Sequence, residues 1–277
     1  MSIRKHHAAL AVLVVLALVI SAFAFALPLG AQPLEAQPET PSIKATNGIV
    51  ANYAFVPNAE EASVSKVDLL AGPPTEVARY STVQPRDEND YPYDKYRVSR
   101  LAMDSQGNAW VMNSMTGKEY DISSAQGQVV RISGSPVAGE NPGVNTSNSG
   151  GLAGMLNEDV RVSVFDVGGL GDCPRTISIV EEGGSLFLWI GFYMGDYFEK
   201  YEYDPMGNTL TPTGDSIVVE PYNAYTAVID GDGILWGVSR NASPYPSPGG
   251  TAGVFYFDTN NLAGGGTALP YDLPGKR

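Results

Sequence analysis

From residue 47 onward, apolar and polar residues alternate in short runs separated by clusters of Gly, Asp, Asn and Ser. Alternation over four to eight residues marks a half-buried strand, and the intervening clusters supply turns. No stretch after residue 46 sustains a 3.6-residue apolar period between caps, so a helical or α/β fold is not expected. Three of the runs align on their tryptophans. Asp104 lies six residues before Trp110, and Asp230 six before Trp236. The third run, Thr176 to Gly191, needs about one more turn residue before Trp189. Each reads as a hairpin whose Asp, Asn or Gly turn bonds its own backbone and reaches φ > 0.

A further strand follows each hairpin, at Arg131–Ser133, Glu202–Asp204 and Tyr256–Asp258. A fourth copy, Lys66–Asp68, follows Ile49–Asn52, which resembles a second hairpin strand whose first is missing. Outer strands are expected at Thr75–Ser81, Arg161–Val167, Ser216–Glu220 and Thr267–Leu273. Each unit therefore has four short strands, with a Trp on the second, which predicts an all-β, β-propeller-type repeat of about four blades. A β-sandwich is the alternative all-β architecture.

The segments Ser63–Asp68, Ser99–Asn113 and Ile229–Trp236 resemble blades of secreted bacterial and archaeal β-propellers of the NHL-like and streptogramin-lyase-like group. The resemblance covers about residues 47 to 277 and implies a fold more than a function, because such blades serve enzymes and binding proteins alike. It also implies six or seven blades, so the ring is expected to be incomplete, truncated or completed by self-assembly. The chain stops after an outer strand, at Lys276 and Arg277, with no inner strand left to close the first unit.

The first residues follow another pattern. Arg4 and Lys5 precede an uninterrupted apolar or small-residue run from Ala8 to Ala26, with cleavage points after Ala26 and Ala31. Residues 1–31 read as a signal peptide for export, or as an uncleaved membrane anchor. Residues 32–46, rich in Pro, Gln and Glu, read as a disordered linker before the propeller-like domain at 47–277. The expected location is secreted or at the extracytoplasmic cell surface. Residues 134–157, rich in Gly, Ser and Asn, form an insertion loop that stretches the Trp110 to Trp189 spacing. Asn145-Thr-Ser147 and Asn241-Ala-Ser243 match the glycosylation pattern.

Composition narrows the chemistry. The net charge of −13 argues against nucleic acid as a partner, and against a membrane except through the anchor. Both histidines, His6 and His7, fall in the signal, and there is one cysteine, Cys173. The exported chain then has no histidine for a Ser-His-Asp or Cys-His site, no histidine zinc ligand and no internal disulfide. The lyases of the resembling group rely on a catalytic histidine, so their activity does not carry over. Cys173 reads as a small core residue. An enzyme is not the favoured reading. A hydrolase or lyase using carboxylates is the alternative, with Asp87, Glu88, Asp90 and Asp94 in one loop and Glu181-Glu182 in another.

In a propeller, ligands meet the face formed by the starts of the first strands and the loops after the second. That face should collect Tyr96, Arg97, Arg100, Asn113, Arg175, Tyr193, Tyr225 and Arg240. Arg and Tyr in a concave mouth suit a polar ligand, taken as an extracellular glycan, peptide or protein. The structural alternative is that Arg100 and Arg175 pair with acids to hold blades together. No cofactor is expected, with one exception: Asp230 and Asp232 around Gly231 and Gly233 offer two oxygens and a turn for calcium. Asp104-Ser-Gln-Gly107 occupies the same place without a second acid, which favours a plain hairpin turn.

Overall fold

The alternating segments form the expected strands. The structure is a computed structural model that describes residues 53–70, 72–83, 97–114, 126–134, 159–240, 252–262 and 269–270. The signal and linker segments, Ile49–Asn52, the Asp87 to Asp94 cluster, Tyr96, the insertion loop and both glycosylation triplets lie outside the described residues. Among the described residues no helix is long and apolar enough to cross a membrane.

Among the described residues, four antiparallel sheets follow one another, each a meander of consecutive strands. The first contains β1 (Tyr53–Asn58), β2 (Ser63–Asp68) and β3 (Thr75–Ser81). The second contains β4 (Arg97–Met103), β5 (Ala109–Ser114), β6 (Gln126–Ile132) and β7 (Val162–Leu170). The third contains β8 (Pro174–Glu182), β9 (Ser185–Phe192), β10 (Tyr197–Asp204) and β11 (Thr209–Val218). The fourth contains β12 (Thr226–Ile229), β13 (Ile234–Ser239), β14 (Gly253–Asp258) and β15 (Leu269–Pro270).

The tryptophans hold equivalent places on the second strand: Trp110 pairs with Ala102 and Arg131, Trp189 with Ser178 and Lys200, and Trp236 with Val228 and Tyr256. Hydrogen bonds outside the ladders align the first sheet with this scheme. Thr82 N–H, just after β3, donates to Ala62 O just before β2, and Val219 N–H donates to Asp196 O in the same way, both at 2.9 Å. Ala62 (φ 46°) and Asp196 (φ 52°) share the left-handed conformation that turns the chain into the third strand. Strands β1 to β3 are thus the second, third and fourth of their unit. Among the described residues that unit has no counterpart of β4, β8 or β12.

Several strand boundaries differ from expectation: the third strands of the second and third units begin at Gln126 and Tyr197, each five residues before the expected Arg131 and Glu202. The second strand of the first unit is described from Tyr53 to Asn58, and the expected Ile49–Asn52 lies outside the described residues. The outer strand of the third unit starts at Thr209, seven residues before the expected Ser216. Pro212 and Gly214 read as strand breakers, yet β11 is an edge strand whose ladder with β10 shifts register between Glu199 and Tyr201. Edges and bulges tolerate such residues.

Period-two alternation sends successive side chains to opposite faces and so builds a core between each pair of neighbouring sheets. Val64 and Tyr80 meet Ala109, Val111 and Val130 between the first and second. Trp110 and Met112, on the other face of β5, meet Leu188, Ile190, Phe192 and Tyr203 of the third. Trp189 and Phe198 meet Leu235, Phe255 and Phe257 of the fourth. Strand β5 is buried along its whole length.

The innermost strands run side by side. Ser99 Oγ donates to Arg175 O at 3.3 Å, joining β4 to β8. Ala227 N–H donates to Thr176 Oγ1 at 3.0 Å and Ser178 Oγ to Ala227 O at 3.3 Å, joining β8 to β12. Sheets packed face to face with their first strands innermost form a β-propeller-type repeat.

Candidate functional site

The rim where β4, β8 and β12 begin and β9 and β13 end brings Arg100, Arg175, Tyr193, Tyr225 and Arg240 together, five of the eight residues expected on that face from the sequence. Arg175 is the second residue of β8, and Tyr225 immediately precedes β12. Each lies three residues before the ladder partner of its Trp, so the repeat gives them equivalent places. Tyr193 and Arg240 are likewise equivalent, each four residues after a Trp.

The Tyr225 ring is the hub. The guanidinium carbons of Arg175, Arg100 and Arg240 lie 5.0, 5.4 and 5.5 Å from its centroid. Tyr193 meets it edge-on, with ring centroids 5.9 Å apart. Arg240 is exposed and the other four are half-buried. Among the described residues none of the three arginines is in an ion pair. The Arg175 Nε is buried without a hydrogen-bond partner.

Electrostatics follow this arrangement. Hydrogen bonding from Arg175 holds the Tyr225 hydroxyl below the ordinary tyrosine range against the opposing effect of burial, aided by Arg240 and the charge of Arg100. Burial instead raises Tyr193, although Arg240 and Arg175 pull it down.

Asn113 stands apart from the cluster. It lies three residues after its Trp rather than four, and one step along a strand turns a side chain to the opposite face. It is fully buried, its Nδ2 donates to Thr82 O at 2.8 Å, and its Oδ1 is buried without a partner. Asn223 was not expected from the sequence. Its Nδ2 donates to Arg240 O at 2.6 Å, its Oδ1 accepts from Arg240 N–H at 3.0 Å, and its own O accepts from Tyr225 N–H at 2.9 Å. Asn223 therefore fixes the backbone of two rim residues together.

The rim also carries acids. Burial, followed by the charge of Glu220, pushes Asp196 up to about 6, and its Oδ1 is buried without a partner. Asp172 Oδ2 accepts from Tyr197 Oη at 2.7 Å, and Asp172 O accepts from Met194 N–H at 3.0 Å, which ties the loop before β8 to the turn after β9. Cys173 in that loop is buried and forms no disulfide.

Asp230, considered for calcium, uses both oxygens within its hairpin: Oδ1 accepts from Asp232 and Ile234 N–H, each at 3.0 Å, and Oδ2 from Trp236 Nε1 at 2.7 Å. Asp232 is exposed. Glu181 and Glu182 end β8 at the opposite edge of the sheet, away from the rim.

The fold and this rim define a β-propeller-type protein with an arginine–tyrosine cluster on one face. No family model and no curated protein matches the chain. Among solved structures it is similar to a functionally unknown protein from Desulfotomaculum acetoxidans, at 11% identity and a TM-score of 0.47, covering 79% of this chain and 51% of that one. It is similar to a protein from Lactobacillus plantarum at 13% identity and a TM-score of 0.49, covering 79% and 53%. A gluconolactonase from Xanthomonas campestris matches at 13% identity and a TM-score of 0.44, covering 82% and 60%. The chain thus spans about half to three-fifths of the length of these structures.

Proposed function

We propose that the protein is an exported binding module whose ligand presents an anionic group, a carboxylate, sulfate or phosphate, to Arg175, Arg100 and Arg240 around Tyr225. The observation behind this reading is three arginines grouped on one tyrosine, none of them ion-paired among the described residues, in a chain of net charge −13. Guanidinium forks suit such oxyanions, and the ring beside them supports a flat or apolar portion of the same ligand. Acidic glycans, acidic peptides and partner proteins carry this chemistry. Calorimetric titration with sulfated and uronic-acid oligosaccharides and with acidic peptides tests it: binding weakens with salt, and Arg175→Met and Arg240→Gln each reduce it about tenfold. Binding indifferent to both substitutions rejects the site. N-terminal sequencing of protein from the culture medium tests export, with cleavage expected after Ala26 or Ala31.

A second reading, a histidine-independent hydrolase or lyase using carboxylates, draws support from Asp196. A carboxyl held at about 6 is populated in both protonation states near neutrality, as a general acid or base must be. Its test is turnover on glycosides and lactones with a pH break near 6 that Asp196→Asn removes. Calcium at Asp230 and Asp232 would have to compete with the bonds Asp230 already accepts, and thermal unfolding with and without EDTA reads it directly.

A further inference from the structure

The opposite edge of the repeat holds a cleft of about 710 Å³ between the second and third sheets, lined among others by Arg131, Glu181, Leu186, Glu202 and Tyr203. That volume lies within the ~300–1,000 Å³ typical of small-molecule sites. Two cross-sheet bonds frame it: Ser105 N–H donates to Glu181 Oε1 at 2.7 Å, and Asn208 Nδ2 to Ser163 Oγ at 3.1 Å. Tyr203 Oη donates to Asn208 Oδ1 at 3.0 Å, which fixes the ring on one wall. The two cross-sheet bonds tie together the sheets that form the walls of the cleft.

Arg131 is the central group. Its guanidinium carbon lies 5.3 Å from the Tyr203 centroid and 5.9 Å from that of Trp110. Its Nε is buried without a hydrogen-bond partner, and among the described residues it forms no ion pair. Of the acids lining the cleft, Asp104 and Asp204 spend their oxygens on their own turns. Spare acceptor capacity therefore rests with Glu181 Oε2 and with Glu202, which is exposed. The cleft offers a fork of donors opposite carboxylate acceptors, beside Leu186 and the Tyr203 ring.

An anion would meet four carboxylates, and a polycation would meet Arg131. Neutral hydroxyl groups donate to one kind of partner and accept from the other, and vicinal pairs match both forks. We propose that this cleft binds a neutral carbohydrate, with Arg131 donating to its hydroxyl oxygens and Glu202 and Glu181 accepting from its hydroxyls. The site is separate from the arginine–tyrosine rim and does not depend on it.

The test titrates the full chain with neutral gluco-, manno- and galacto-oligosaccharides by calorimetry, alongside spermine and inorganic sulfate, and follows tryptophan fluorescence because Trp110 adjoins Arg131. At least one neutral saccharide is expected to bind with a Kd of about 1 mM or tighter. Arg131→Met should weaken it about tenfold and Glu202→Gln several-fold, while Arg175→Met leaves it unchanged and weakens only the anion site. Glu202 is exposed, so its substitution preserves the fold even if that of Arg131 does not. The absence of any neutral saccharide binding, saccharide binding unchanged in Glu202→Gln, or spermine binding in place of saccharide would each overturn the proposal.

Discussion

Trp110 Nε1 donates to Asp104 Oδ2 at 2.9 Å across the turn between β4 and β5, and this one carboxylate organises the hairpin. It also accepts from Asn108 Nδ2 and from the N–H groups of Gln106 and Asn108 at 2.8 to 3.0 Å. Asp230 repeats the indole bond and two amide bonds in the fourth sheet, and Gly107 and Gly233 close the two turns at φ 82° and 80°. The difference is burial: Asp104 is 8% exposed, whereas Asp230 is exposed. Leu235 points into the core with the third sheet, so Trp236 lies on the opposite face, half-buried against Tyr256 at 5.1 Å.

Removing the same carboxylate at the two turns should therefore have unequal effects. Asp104→Ala strands buried donors, including the indole, and should cost about 2–4 kcal/mol. Asp230→Ala exposes its donors to water and should cost under about 1 kcal/mol. Urea unfolding of both variants, followed by tryptophan fluorescence, compares them. Equal losses would show that burial does not set the strength of this motif.

Tyr225 should ionise before Tyr193, Tyr197, Tyr201 and Tyr203. Arg175 lowers its pKa most, with Arg240 and Arg100 assisting, whereas burial raises Tyr193, Tyr197, Tyr201 and Tyr203. In an ultraviolet phenolate titration, Tyr225→Phe should delete a transition that lies below the ordinary tyrosine range, and Arg175→Met should move it to higher pH more than Arg240→Gln does. An early transition that persists in Tyr225→Phe would assign it to another residue.

Much of this rim was legible because the repeat assigns places. Once the tryptophans are aligned, Arg175 and Tyr225 must share one position and Tyr193 and Arg240 another, whatever the chemistry there. Asn113 shows the limit of that reasoning. One residue of offset is invisible in a list of rim candidates, yet it turns the side chain into the core. Asp196 with Glu220, and Asn223 with Arg240, depend on which turns meet across strands, and neither partner signals the other in the chain. The Arg131 cleft is a property of two sheets packed together, so it could not be read from the periodicity of either.

Asp196 makes stability depend on pH in an unusual direction. Its folded pKa of about 6 lies above the ordinary 3.8, so between these values the folded state binds more protons than the unfolded state. Stability from this group is present below about pH 4 and is lost as pH rises through about 6. Because the side chain is partly solvated, the loss is about 1 kcal/mol rather than the ~3 kcal/mol of a fully buried shift. Asp196→Asn should raise stability at pH 7.5 by that amount and leave it unchanged at pH 4. Urea midpoints at the two pH values measure it, and equal stabilisation at both would remove proton linkage as the cause.

Gly191 lies near the rim end of β9, against β8, β10 and the loop before β12. A Cβ there would stand 2.5 Å from Thr176 Cγ2, 2.7 Å from Phe198 Cε1 and 3.0 Å from Ala224 Cβ. Ala224 cannot rotate away, Phe198 is fully buried against Phe255 and Phe257, and Thr176 Oγ1 is held by Ala227 N–H. The methyl group can be accommodated only by moving β9 away from β8 or from the loop before β12. Gly191→Ala should therefore cost about 1–3 kcal/mol, the usual penalty of overpacking. Because Thr176 follows Arg175 and Ala224 precedes Tyr225, the displacement should also move the rim. Thermal unfolding together with the Tyr225 titration tests both effects, and a stable variant with an unshifted Tyr225 would show that the close approach is relieved elsewhere.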